Sequence, residues 1–252
     1  MNIIVAFKVV PDDQDIRFSE DGSLDYSKAK GVVSAYDLNA IEAAVRLAAD
    51  HEGSKVVAVT IGPASIDDPK LKKNVLSRGV DELMVAADNG HAHLDAHATA
   101  AVLTSALEQI EPYDLILCGD GSADDYAQQV DVHLASALGL PCVSGVVSID
   151  AQDHVLHVER ATENAIEVIE VGLPAVIAVT PDAASPRIPG MRDILAAGKK
   201  PVHKAGEGVV AKRSLEEVSC KAPKMSARRQ DTSDASLDGA IDRFAAALKA
   251  SL

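Results

Sequence analysis

Short apolar runs that alternate with stretches of helical spacing constrain this chain more than any other feature. Residues 2–7 (Asn-Ile-Ile-Val-Ala-Phe), 56–61 (Val-Val-Ala-Val-Thr-Ile), 82–87 and 115–118 have the pattern of strands buried on both faces. After the first run, Asp37 reads as a helix N-cap, and Leu38, Ile41, Val45 and Ala48 follow as an apolar stripe at helical spacing. Further helices are expected over 67–77, closed by Gly79, and over 93–110. Strands that alternate with helices fold as a parallel sheet covered on both faces. The expected class is therefore α/β.

Three regions depart from that rhythm. Residues 12–33 are polar and glycine-containing, a hairpin-like excursion that turns at Asp21-Gly22 after Pro11 ends the first strand's regularity. Beyond Pro141, strands at 142–149, 155–160, 166–171 and 175–179 are separated by turns rather than helices. They either extend the sheet or form a small antiparallel layer. A loop with three prolines in the eleven residues 180–190 follows, then a short helix at 191–197. Residues 202–234 are polar, with Lys221, Lys224, Arg228 and Arg229, and read as a long arm. The last helix, 237–252, carries Ile241, Phe244, Ala245 and Leu248 on one face. The expected division is an α/β domain over 1–200, including the loop region 181–197, and an arm with a helix over 201–252. So tethered, that helix has little of its own chain to pack on and is expected to dock on a partner subunit.

Composition narrows the partners. Aromatic residues make up 3% of the chain with no Trp, so the core must be built from Val, Ile, Leu and Ala. A net charge of −14 argues against nucleic acid or an anionic membrane, both of which require basic patches. Three cysteines without a CxxC pair suggest neither a disulfide framework nor a zinc site. The N-terminal apolar run lacks a basic flank and a cleavage site, and no apolar segment approaches the ~20 residues of a membrane span. A cytoplasmic location without stable membrane insertion is the expectation.

The segment from Asp114 to Val130 reads as a strand, a glycine-containing turn, two carboxylates and the start of a helix with Val130, Leu134, Ala137 and Leu138 on one face. Such a turn exposes backbone N–H groups at a helix N-terminus, a seat for phosphate. Ligands of open parallel sheets bind where the strand order reverses. If the fourth strand lies beside the first, the loops after Phe7 and Cys118 meet at that crevice. Asp124 and Asp125 would repel a phosphate there, and suit capping or ribose and adenine contacts instead. Neither a dinucleotide fingerprint nor a P-loop is present. His93 and His97, spaced i,i+4, are either a metal pair or a solvated helix face. No partnered nucleophile or acid–base set emerges, so no catalytic residues are expected.

Several stretches together carry a family resemblance: Lys8-Val-Val-Pro-Asp12, Tyr36 to Ala44, Leu76-Ser-Arg-Gly-Val-Asp-Glu82, Asp114 to Val130, Leu173-Pro-Ala-Val176 and Pro186-Arg-Ile-Pro-Gly-Met191. In this order they resemble the small (beta) subunit of electron-transfer flavoproteins, in particular bacterial forms associated with anaerobic acyl-CoA and carnitine metabolism. The resemblance implies an adenine nucleotide alpha hydrolase-like fold and an electron carrier rather than an enzyme. It also implies a heterodimer with an alpha subunit that holds most of the FAD, and a structural AMP on this chain. The nucleotide contacts it implies fall on Ala6, on Ser34, Ala35, Tyr36 and Asp37, and on Ile61. In the loop they fall on Gly119, Asp120, Gly121, Ser122, Ala123, Asp124, Asp125, Tyr126, Ala127, Gln128, Gln129 and Val130.

One branch of the family places a second FAD where others hold AMP, and spells this loop Asp-Gly-Asp-Thr-Ala-Gln-Val. Here it reads Asp124-Asp-Tyr-Ala-Gln-Gln-Val130, which favours AMP. The proline-rich loop resembles the segment that holds a flavin dehydrogenase, and Pro186, Arg187, Ile188, Pro189, Gly190 and Met191 occupy it, with Met191 as the apolar anchor. Where many members have Val-Glu-Arg-Glu, this chain has Val158-Glu-Arg-Ala161, so an inter-subunit ion pair made elsewhere by that last Glu is in doubt. The rival of another class is a stand-alone adenine-nucleotide protein of the universal-stress type, which shares the α/β layout but would carry a Gly-rich phosphate motif after the fourth strand.

Overall fold

In the computed structural model, which describes residues 1–110, 112–152, 155–206, 209, 211–223 and 234–251, the first apolar run becomes an inner strand of the sheet. It is β1 (Asn2–Ala6). Val9–Pro11 (β2) follows, then the short hairpin of Arg17–Phe18 (β3) and Leu24–Asp25 (β4), then Gly31–Val33 (β5). The helices α1 (Ala35–Asp50), α2 (Pro69–Leu76), α3 (Ala96–Leu107) and α4 (Val130–Leu138) alternate with β6 (Lys55–Gly62), β7 (Glu82–Ala87) and β8 (Leu115–Gly119). The remaining elements are β9 (Cys142–Gln152), β10 (Val155–Ala161), β11 (Ile166–Gly172), β12 (Ala175–Val179), α5 (Met191–Ala197), β13 (Val202–Lys204) and α6 (Ala240–Ser251).

One sheet of nine strands has the order β11-β10-β9-β12-β8-β1-β6-β7-β13. β1 pairs in parallel with both β6 and β8, so the fourth strand of the βα series does lie beside the first. After β1 the chain builds outward through β6 and β7, then returns to the other side of β1 with β8 and β12. The order reverses between β1 and β8, and their carboxyl ends flank the crevice that such a reversal opens. The late strands settle the question the sequence leaves open. β12 and β9 continue the parallel sheet, while β10 and β11 extend it antiparallel.

Two apolar layers cover the sheet. On one face Ile3, Val5, Ala58 and Leu117 pack with Ile41, Ala44 and Leu47 of α1 and Val75 and Leu76 of α2. On the other, Ile4, Val57, Ile116 and Val176 pack with Val102 and Leu103 of α3 and Leu134 and Ala135 of α4. Every one of the five residues of β12 is buried, as expected of a strand covered on both faces.

Several local expectations are corrected by contacts that sequence spacing does not carry. α1 begins after Ser34, so Asp37 lies in its first turn and is not the N-cap. α3 begins after Asp95, which accepts from Ala98 N at 2.8 Å, and His93 sits outside it with φ 59°. His93 and His97 therefore share no helix face; the ring of His97 instead meets His133 of α4 edge-on at 5.5 Å. On α4 it is Ala135, not Ala137, that is buried, and Gly139 ends the helix in the left-handed region at φ 67°. α2 starts two residues later than expected, capped by Asp68 with Pro69 at the first helical position. The first strand stops at Ala6, before Pro11, and it is a separate strand, β2, paired antiparallel with β5, that ends at Pro11. Within the stretch read as an arm, β13 adds a parallel edge strand to β7.

The chain divides into two compact units. One holds Met1–Arg17 and Asp25–Ser219, and so the whole sheet. The other holds Phe18–Leu24 and Cys220–Leu252. In the second unit the turn at Gly22, with φ 81°, accepts a hydrogen bond from Ala222 N at 2.8 Å, and α6 leaves Ile241, Phe244 and Leu248 exposed. Lys224, Arg228 and Arg229, expected in a basic arm, lie outside the described residues. Among the described residues no helix is long and apolar enough to cross a membrane.

Burial grades what substitution should do here. Ile177 is fully buried in β12 between two strand neighbours, whereas Val168 on the edge strand β11 is 73% exposed. Ile177→Ala should lower unfolding free energy by about 2–5 kcal/mol, and Val168→Ala by less than about 0.5 kcal/mol. Chemical denaturation of both variants checks the contrast.

Candidate functional site

The crevice between β1 and β8 is organised by one carboxylate. Asp37, 4% exposed in the first turn of α1, accepts from Lys8 N through Oδ2 at 2.7 Å and from Gly119 N through Oδ1 at 3.1 Å. Those two N–H groups lie at the carboxyl ends of the strands on either side of the order reversal, Lys8 two residues past β1 and Gly119 the last residue of β8. The same approach explains Gly119. A Cβ there would stand 2.8 Å from Asp37 Oδ1 and 2.9 Å from the Tyr36 carbonyl carbon, closer than real contacts allow. The glycine makes room for α1 itself.

Beyond Gly119 the loop is held by its own side chains. Lys8 Nζ lies 2.8 Å from Asp124 Oδ2 and 3.2 Å from Asp125 Oδ1. The Ser122 hydroxyl is 2.6 Å from Oδ1 of both aspartates. Burial works against ionisation of Asp124, but the hydrogen bonds from Lys8 and Ser122 prevail and hold its carboxyl below the usual range. The pair that would repel a phosphate is thus drawn onto an ammonium. Neither aspartate caps α4, whose N-cap is Gln129 without a side-chain bond.

Tyr126 folds back over the turn with φ 46°, its ring 5.0 Å from that of Tyr36. It covers Gly121 so closely that a Cβ there would lie 2.2 Å from Tyr126 Cδ2. Its hydroxyl donates to Asp120 Oδ2 at 2.7 Å, a bond that pushes the phenol up to about 12. Asp120 is 7% exposed, and its Oδ1 is buried without a partner among the described residues. The Oγ1 of Thr180, one residue past the register pair Val179 and Gly119, is buried and unpartnered as well. A buried acceptor left open is costly unless something donates to it.

The other expected contacts distribute unevenly. Ser34 is fully buried, and its Oγ accepts from Ala123 N at 3.3 Å, tying α1 to the loop. Ala6 is buried and Ile61 half-buried on the α3–α4 face, packed in the same cluster as Cys118. Ala35, Ala123, Ala127, Gln128 and Gln129 are exposed, and Val130 is half-buried at the start of α4. In the first turn of α4, the buried Asp131 accepts from the Ser144 hydroxyl of β9. In the proline-rich segment, Pro186 and Pro189 are half-buried while Arg187, Ile188, Gly190 and Met191 are exposed, and Met191 opens α5 behind Gly190. Lys8 is the residue that sequence reasoning left without a role. The signal for it was a lysine directly past the apolar end of β1, facing a loop rich in aspartate.

Burial pushes the Asp37 carboxyl up to about 7 against its two backbone donors and the Lys8 ammonium, with Asp124 adding to the rise. A carboxyl raised above its unfolded value holds its proton more tightly when folded. Its contribution to stability is complete below the ordinary 3.8 and is lost as pH rises through about 7. Asp37→Asn cannot ionise, and its amide turns a donor toward a backbone N–H, a mismatch of about 1–3 kcal/mol. The native chain should therefore exceed Asp37→Asn in stability by more at about pH 5 than at about pH 8. Denaturation at both values measures the gap; a gap independent of pH would place the titration elsewhere.

The electron transfer flavoprotein domain matches residues 22–209, most of the chain and nearly all of the sheet-bearing unit from α1 to β13. A mostly parallel sheet with its order reversal at β1 and β8 agrees with that match. The chain belongs to the electron transfer flavoprotein family.

Proposed function

We propose that this chain is the small (beta) subunit of a heterodimeric electron-transfer flavoprotein and that the β1–β8 crevice holds AMP as a structural nucleotide. The observation that carries this reading is the pairing, at one strand mouth, of a helix lacking a side-chain cap with a buried carboxylate oxygen lacking a donor. The first-turn N–H groups of α4 suit a phosphate. Asp120 suits a hydroxyl or amino group. The Lys8 ammonium offsets one of the two charges of Asp124 and Asp125 and so weakens the repulsion they would bring to the seat.

The alpha subunit of the heterodimer carries most of the contacts to FAD, which supplies the redox chemistry when bound. This chain contributes position and partner choice. The exposed stripe of Ile241, Phe244 and Leu248 on α6 is the surface for the alpha subunit. Ile188 and Met191, 95% and 73% exposed, meet a flavin dehydrogenase of the acyl-CoA type.

Co-expression with an alpha subunit, followed by absorbance spectra and extraction of nucleotides, tests the assignment. A yellow heterodimer with one FAD and one AMP is expected. Two FAD per heterodimer would assign the second flavin to this crevice, and a colourless homodimer that hydrolyses ATP would overturn the carrier reading. Met191→Ala should raise the dehydrogenase's KM for the carrier about tenfold, the equivalent of 1.4 kcal/mol, with nucleotide content unchanged. Equal KM values would remove Met191 as the anchor.

A further inference from the structure

The proline-rich segment after β12 has no regular structure until α5, yet its backbone is held by side chains from elsewhere. Asn39 Nδ2 donates to the carbonyls of Pro181 at 3.1 Å and Ala184 at 2.7 Å. The Arg46 guanidinium reaches the Ser185 carbonyl at 3.2 Å. Arg78, in the turn after α2, donates to the Arg187 carbonyl at 2.6 Å. At the far end, Lys200 Nζ donates to the carbonyls of Leu76 at 3.0 Å and Val80 at 2.5 Å.

At the centre is Glu42, whose side chain is 5% exposed. Its Oε2 accepts from Arg187 Nε at 2.6 Å and from Arg187 N at 3.2 Å. Its Oε1 accepts from Arg46 Nε at 2.7 Å and from Arg187 Nη2 at 3.2 Å. Both oxygens are doubly satisfied, which is the condition for a buried carboxylate to hold geometry. Burial alone would raise the Glu42 carboxyl, but these donors hold it below its usual range, and Glu42 in turn raises Arg187. Gly79, at φ 106°, completes the seat: a Cβ there would meet Val45 Cγ1 at 2.6 Å and Arg187 Nη1 at 3.2 Å.

We infer that Glu42 is the positioning residue of the partner-recognition segment. By fixing both the side chain and the backbone N–H of Arg187, it holds Ile188, Met191 and Leu195 in the arrangement a partner meets. Those three are 95%, 73% and 66% exposed. Met191 and Leu195, spaced i,i+4, lie on one face of α5. Such a preset apolar surface avoids ordering the loop at the moment of binding. The role also accounts for three sequence stretches at once, since Tyr36–Ala44, Leu76–Glu82 and Pro186–Met191 converge on this one contact.

The inference rests on reading residues 186–191 as the dehydrogenase-binding segment, and the test separates the two. Glu42→Gln in the flavin-loaded heterodimer keeps the shape and removes the charge. Exchange of the Arg187 amide, read by NMR, should quicken at least about tenfold, and KM for the carrier, measured with an acyl-CoA dehydrogenase reduced by its acyl-CoA, should rise about tenfold at unchanged kcat and flavin content. Should Glu42→Gln fail to fold, Arg187→Lys keeps Glu42 partnered but cannot bridge both its oxygens, and should move both readouts the same way. Unchanged amide exchange overturns the clamp. Faster exchange with KM unmoved, where Met191→Ala does raise KM, overturns positioning and leaves recognition standing. KM unmoved in both variants overturns recognition itself, and positioning with it.

Discussion

A buried carboxylate that accepts from two strand ends is the contact on which the rest of this molecule depends. Parallel strands finish with N–H groups that the sheet no longer pairs, and at a reversal of strand order no helix covers both ends by default. Asp37 answers for Lys8 N on one strand and Gly119 N on the other. Its position in the first turn of α1 also sets a negative group at the positive end of the helix. Desolvation opposes the arrangement, as the raised carboxyl shows. The contact persists because removing it would orphan two backbone donors at once. The cost of holding it falls on position 119, where only glycine clears the helix.

From that contact the charges of the crevice can be followed one by one. The loop and its surroundings bring five carboxylates together, on Asp37, Asp120, Asp124, Asp125 and Asp131, which alone would make a poor place for an anion. All five are engaged, two of them by one ammonium: backbone N–H for Asp37, the Tyr126 hydroxyl for Asp120, Lys8 for both Asp124 and Asp125, and Ser144 for Asp131. What stays open is one oxygen of Asp120 and the first turn of α4. An acidic loop is therefore compatible with the anion seat proposed at α4.

The sheet was legible because its signal is local. Continuous apolar runs and helical stripes are set by burial, and burial decided each of them, from β1 through β8. Asp37 shows where local reasoning fails. An aspartate just ahead of an apolar stripe is a good N-cap by every short-range rule, yet its side chain was claimed by Lys8 and Gly119, the latter 82 residues away. Ala135 and Ala137 differ by less than a turn and are chemically identical, so only the packed sheet could choose between them. β13 is three exposed residues whose strand character comes from pairing with β7, and no pattern within Val-His-Lys announces it. The loop residues were named as candidates through the family resemblance, whereas the contacts of Lys8 and Glu42 with the two loops became visible only with the side chains in position.

Both loops finally trace to one helix. Asp37 and Glu42 sit five positions apart on α1, the first turned to the strand ends and the second to the proline-rich segment. Asn39, Glu42 and Arg46 recur at helical spacing and form the polar stripe that grips residues 181–187, while Ile41, Ala44 and Leu47 bury the opposite stripe on the sheet. A helix buried on its apolar side and bonded on its polar side has little freedom to rotate or slide, because either motion would break contacts on both sides together. The crevice and the proline-rich segment are thus referred to one rigid element rather than to each other. On the proposed reading, one helix would thereby keep both the nucleotide seat and the exposed apolar surface in place. The loops carry the contacts, and α1 carries the geometry.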